Sequence, residues 1–269
     1  SSLPAHEEAA VLEAPVQSGE SPYLLKARRG GNPTLSELRT EPGIGLRAVA
    51  PLTVPTDLWD RIRRGFAMED LENEQVRERE QWYAARPEYI ERMTARSNKY
   101  LFHIVEELER RNMPTELALL PFVESAFNPQ AVSSASAAGM WQFMPATGKD
   151  FDLTQNMFRD DRRDVLASTR AALDYLERLN RQFNDWHLAL AAYNWGQGNV
   201  AKAIKRNQAQ GLGTSYTEIN LPQETRQYVP KLLAIKNIVA RPERFRAKLP
   251  AIGNHPFFDA VPIKRDMDV

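Results

Sequence analysis

The chain has 269 residues, and its 35 Lys and Arg side chains balance 35 Asp and Glu, so the formal net charge is zero. That length suffices for a sizeable core in one large or two small domains, and the balance excludes global steering towards nucleic acid or anionic lipid. With no cysteine, disulfides and thiolate metal sites are excluded, and the scattered His6, His103, His187 and His255 have no ligand spacing, so neither metal nor cofactor is expected.

Residues 1–55 carry seven of the 18 prolines (Pro4, Pro15, Pro22, Pro33, Pro42, Pro51 and Pro55) and the glycine pairs Gly30–Gly31 and Gly43/Gly45. Long helices are excluded there, which predicts an extended arm held to the body by Tyr23, Leu24, Leu25, Ile44 and Leu46. Accessory helices are expected over 56–89. Thr56-Asp57 caps a helix bearing Leu58, Trp59, Ile62 and Phe66, and a Glu/Arg-rich stretch over 69–86 reads as a mostly solvated helix. Pro87 then opens a new helix. Ile90, Met93, Ser97, Tyr100, Leu101, Ile104 and Leu108 follow one face, predicting a single long helix to about Arg111.

The next stretch, LALLPFVESAFNPQAVSSASAAGMWQFMPATG, is followed by a small-residue loop. Asp164 caps the periodic run from Val165 to Phe183. WHLALAAY, from Trp186 to Tyr193, is apolar nearly all round and should be central; His103 and His187 read as surface or packing residues. The glycines of Asn194-Trp195-Gly196-Gln197-Gly198 permit a sharp turn before a helix over Asn199–Asn207. A final helix is expected over Leu221–Val239, with Tyr228, Leu232, Ile235 and Val239 on one face. Residues 241–269 read as a tail ending in PFFDAVPIKRDMDV, with room for one short strand. No repeat, no spanning apolar run of roughly 18 residues and no basic, apolar leader is evident, so the chain reads as a soluble piece, mainly α, with its principal domain at 90–240.

Glu124 draws attention within this frame. If Pro114 or Thr115 opens a helix, Leu117, Leu120, Pro121 and Glu124 share one face, so the acid lies on the side that makes the core. Desolvation would then raise its pKa, as a general acid requires. Pro121 should bend or interrupt the helix nearby. From Ser125 to Lys149 there is no other Asp or Glu. Glycosidic cleavage commonly uses two carboxylates, and here a second would have to be Asp150, Asp152, Asp160, Asp161, Asp164 or a more distant residue. The alternative is that the substrate supplies its own nucleophile. The structural reading, in which Glu124 caps a helix or pairs with Arg, leaves the apolar face unexplained.

Glu124-Ser125, Gly139-Met140-Trp141-Gln142, Ala192-Tyr193-Asn194 and Glu224-Thr225-x-x-Tyr228-Val229 together resemble the ordered motifs of the soluble lytic transglycosylase family, over roughly residues 90–240. The resemblance implies a goose-type lysozyme-like fold and cleavage of the β-1,4 bond between N-acetylmuramic acid and N-acetylglucosamine in peptidoglycan, leaving 1,6-anhydro ends. It implies Glu124 as sole acid and base, with Ser125, Met140, Gln142, Tyr193, Asn194 and Tyr228 binding or positioning the sugar. Ser125, Met140, Trp141 and Tyr193 also fit plain structural roles. Trp141 and Trp195 depart from the smaller residues and the serine frequent in relatives, which bears on substrate preference. The implied setting is the periplasm, at the outer membrane, with LysM modules or a lipid anchor outside this stretch. Two other readings are a hydrolytic goose-type lysozyme-like muramidase and a non-catalytic glycan-binding module.

Overall fold

The computed structural model describes residues 54–257. The arm expected over 1–55 therefore lies outside the described residues except for its last two positions, as does the chain beyond Phe257. Among the described residues there are ten α-helices, and extended pairing is limited to isolated bridges. The mainly helical expectation holds.

Helix starts follow local chemistry. The side chain of Asp57 accepts from Trp59 N at the head of α1 (Leu58–Arg64), and Asn73 from Val76 N at the head of α2 (Glu74–Ala84). Pro87 opens α3 (Pro87–Ser97), but the expected single helix to Arg111 is two, because α4 (Leu101–Arg110) begins after a break at 98–100. The reason is visible in the side chains. Thr94 Oγ1 donates to Ile90 O at 2.7 Å within the helix, and Ser97 Oγ donates to Thr94 O at 2.8 Å, so a hydroxyl competes for a carbonyl of the last turn. The hydrophobic face nonetheless continues across the break, which is why periodicity alone did not reveal it.

A 3-10 turn, Thr115–Leu119, leads into α5 (Leu120–Ser125), with Pro121 in its first turn rather than its interior. The change of helix type just before Pro121 is the interruption expected there. A short helix absent from the sequence reading, α6 (Pro145–Asp150), spans the end of the motif-bearing stretch and the start of the loop expected after it. Asp164 caps α7 (Val165–Phe183) by accepting from Ala167 N, and Asp185 caps α8 (Trp186–Trp195) through Leu188 N. Then come α9 (Gln197–Ala209) and α10 (Gln223–Ala240).

Helix α8 is buried from His187 to Asn194 and packs against α7, α9 and α10, so the apolar octapeptide is indeed central. One hydrophobic cluster runs from Leu58 to Ile252 and includes α1 and α2 as well as the later helices. Part of the expected tail closes on the first helix: Leu58 N donates to Ile252 O at 2.7 Å and Trp59 Nε1 to Pro250 O at 3.0 Å. Among the described residues, no helix is long and apolar enough to cross a membrane.

Candidate active site

Helix α5 stops abruptly, because Ala126 and Phe127 both adopt left-handed backbone angles, with φ of 49° and 57°. Such conformations cost a non-glycine residue free energy. Here they are held by Phe127 N donating to Pro121 O at 3.0 Å and by the edge-on contact of Phe122 with the buried Phe127. The stop leaves Glu124 in the last turn of a rigid stub. Glu124 is half-buried, open to solvent on one side, and its Oε1 accepts from the Tyr228 hydroxyl of α10. Crowding of the carboxyl by protein atoms pushes its pKa up to about 7; the Tyr228 bond opposes that shift, the Glu224 charge adds to it, and Lys231 opposes it.

A second acid of the same segment shows that burial alone is not the signature. Glu116 is only 1% exposed, and burial also raises its pKa. Its carboxylate accepts from the backbone of Ala67 at 2.9 Å and Met68 at 2.6 Å, which ties the chain after α1 to the 3-10 turn. Glu116 is sealed and satisfied by amides. Glu124 has one hydroxyl partner and a path to solvent, the combination a proton donor to a substrate needs.

The turn Gly139–Gln142 lies against the end of α5. Gln142 N donates to Gly139 O at 3.2 Å, and Gly139 and Gln142 both have positive φ, 84° and 54°. Gly139 is required by space as well as angle: a Cβ there would sit 1.8 Å from the Arg162 carbonyl oxygen. Two helices hold the turn by its carbonyls, since Ser125 Oγ donates to Met140 O at 2.8 Å and the Tyr193 hydroxyl to Trp141 O at 2.7 Å. Gln142 Nε2 donates to Gly139 O at 2.8 Å and Ala131 O at 3.2 Å, while Trp141 Nε1 reaches Thr169 Oγ1 at 3.1 Å. Met140 and Trp141 are 1% and 0% exposed, so both side chains are core. Ser125, Met140, Gln142 and Tyr193 are thus brought together as one hydrogen-bonded wall beside Glu124.

Asn194 is bonded to the helix that carries Tyr228. Asn194 Oδ1 accepts from Thr225 Oγ1 at 2.8 Å and its Nδ2 donates to Glu224 Oε1 at 3.4 Å, which links the end of α8 to the first turn of α10. Pro230 lies inside α10 and has no N–H to offer the Arg226 carbonyl one turn back. The Tyr216 hydroxyl meets that gap, its one proton shared between Thr225 O at 2.5 Å and Arg226 O at 2.9 Å.

Glu224, Thr225 and Lys231 are site residues that the sequence reading did not single out. The signal was present, because Glu224 and Thr225 belong to the quoted motif, and Lys231 follows Tyr228 by three residues on a helix. The carboxylate whose charge acts on Glu124 is Glu224, one of the more distant acids. Of the nearer candidates, Asp160 is paired with Arg162, Asp161 with Arg159, and Asp164 caps α7. A cavity of about 470 Å³ lies between the start of α2 and the end of α10; Asp70, Arg77, Lys236 and Arg244 line it, and Glu124 does not.

Residues 103–213 match the model of the transglycosylase SLT domain. The putative tributyltin chloride resistance protein of Alteromonas sp. (strain M-1) is 39% identical over 173 residues, 63% of this chain and 81% of that protein. The chain belongs to the SLT transglycosylase family. Membrane-bound lytic murein transglycosylase D of Escherichia coli (strain K12) is 48% identical over 195 residues, which are 72% of this chain and 43% of that protein. A more distant relative, membrane-bound lytic murein transglycosylase C of Haemophilus ducreyi (strain 35000HP / ATCC 700724), is 30% identical over 131 residues, 44% of this chain and 36% of that protein. This member of the SLT family therefore spans less than half the length of the D-type relatives it matches. Its lysozyme-like, all-helical class agrees with the resemblance in the four motifs.

Proposed function

We propose that this chain is the catalytic portion of a peptidoglycan lytic transglycosylase, with 90–240 as its principal domain and 56–89 as accessory helices. The observation that carries the reading is the Glu124 carboxyl, half-buried beside Tyr228 and raised to about 7 by desolvation, on a family fold. In this reading Glu124, protonated, donates to the glycosidic oxygen between N-acetylmuramic acid and N-acetylglucosamine as the C1–O bond breaks. The resulting carboxylate then takes the proton of the muramyl C6 hydroxyl while that oxygen bonds C1 and closes the 1,6-anhydro ring. Both reacting groups belong to one sugar, so proximity replaces an activated water. Tyr228 stabilises the carboxylate formed between the two steps. Ser125, Met140, Gln142 and Tyr193 act by holding the wall, and Asn194 by orienting α10 and the sugar. The D- and C-type relatives are named membrane-bound murein enzymes, which supports a periplasmic, outer-membrane-associated setting for the full-length protein.

Glu224 favours a second reading, because a neighbouring carboxylate could assist water in a muramidase of the goose-type lysozyme kind. Mass spectrometry of digested peptidoglycan separates the two. Muropeptides one water lighter than their reducing counterparts are expected; reducing ends alone would establish hydrolysis. A non-catalytic glycan-binding module would release neither.

A further inference from the structure

Lys231 stands three residues after Tyr228 and seven after Glu224, so the three side chains leave α10 on one face. Tyr228 reaches Glu124, which fixes that face to the site. Lys231 is half-buried, and besides its desolvation the charges acting on it are those of Arg79, Glu224 and Glu124. Arg79 comes from α2, which packs along α10; it is also half-buried, with its guanidinium 6.0 Å from the Trp82 ring centroid. Among the described residues, neither Lys231 nor Arg79 forms an ion pair or donates a side-chain hydrogen bond. Two like charges acting on one another where both are partly desolvated are unfavourable unless something opposes them. Glu224 offsets part of that charge, and Glu124, with a pKa of about 7, offsets only part of what remains at neutral pH. The edge of the site therefore keeps an excess of positive charge, with donors left over.

We propose that Lys231 and Arg79 form a carboxylate-binding subsite beside Glu124, which takes a carboxylate carried by the muramyl unit of the substrate. This rests on the function proposed above and deepens it to a choice among glycans. An N-acetylglucosamine ring has no anionic group. A muramyl ring carries a lactyl ether that ends in a carboxyl, either free or amide-linked to a peptide that brings carboxylates of its own. Both sources offer the same chemistry to an ammonium and a guanidinium.

The test is calorimetric binding in the Glu124→Gln protein, with three soluble probes: a neutral N-acetylglucosamine oligomer, a peptide-free glycan with free lactyl carboxyls, and a peptide-bearing glycan. The parent should prefer carboxylated probes over the neutral one. Lys231→Met and Arg79→Met should each cut that preference by about tenfold, the scale of one charge-assisted hydrogen bond, and Lys231→Arg should restore it. The probe on which the loss appears identifies the source of the carboxylate. Equal binding of neutral and carboxylated probes by the parent, or a preference that survives both substitutions, overturns the subsite while leaving the proposed function standing. Failure to bind any of the three glycans removes that function and the subsite with it.

Discussion

Replacing Tyr228 with Phe removes the hydroxyl that donates to Glu124 and keeps the buried ring in place. That bond favours the ionised carboxyl and is the principal influence holding the pKa of Glu124 down against desolvation. A hydrogen bond to a charged group contributes about 1.5–3 kcal/mol, and one pKa unit corresponds to about 1.36 kcal/mol. Water reaches the half-buried acid and recovers part of the loss, so the expected rise is roughly one unit above the starting value of about 7. The protonated form is the acid, so the fall in activity at alkaline pH should move upward by that amount. The maximal rate should drop as well, since the carboxylate formed between the two steps loses its donor. Profiles of kcat/KM for a soluble glycan, taken from mildly acidic to alkaline pH in both proteins, measure the shift. An alkaline limb that stays put, or moves to lower pH, would refute the reasoning.

The same carboxyl affects stability. Its folded-state pKa of about 7 exceeds the ordinary 4.5, so the folded protein binds the proton more tightly, and stability falls as pH rises from the lower value through the higher. Glu124→Gln keeps an acceptor for Tyr228 and cannot ionise; it should raise Tm above the upper value and change it little below the lower one, as calorimetric scans at the two extremes would show. In Gly139→Ala the new Cβ meets the Arg162 carbonyl, and the left-handed backbone alone costs about 1–2 kcal/mol, so denaturant titration should find a loss of at least that size. Tyr216→Phe removes the hydroxyl that the Thr225 and Arg226 carbonyls share and should cost about 1–3 kcal/mol in the same assay.

Much of the fold was legible because caps and periodicity are local. Asp57, Asp164 and Asp185 stand at helix starts, and the apolar octapeptide in α8 is buried as its pattern required. Where the sequence misled, a tertiary or side-chain effect decided. The face from Ile90 to Leu108 is continuous although the helix is not, because the Ser97 hydroxyl competes with the backbone. The site was legible as motifs but not as an arrangement. Ser125 and Tyr193 meet one turn from opposite sides, and Gln142 takes a left-handed backbone that composition does not announce. Glu116 was passed over, although it is the more buried acid, since what separates it from Glu124 is the backbone amides it accepts from a segment 48 residues away.

Pro230 divides the backbone ladder of α10. The turns that bear Glu224, Thr225 and Tyr228 lie before the gap, and the apolar stretch from Leu232 to Val239 lies after it. The first part is stitched to the rest of the molecule through Tyr216, outside the helix, so its amides and those of the second part are expected to open separately. Amide exchange along α10 should change character at the proline.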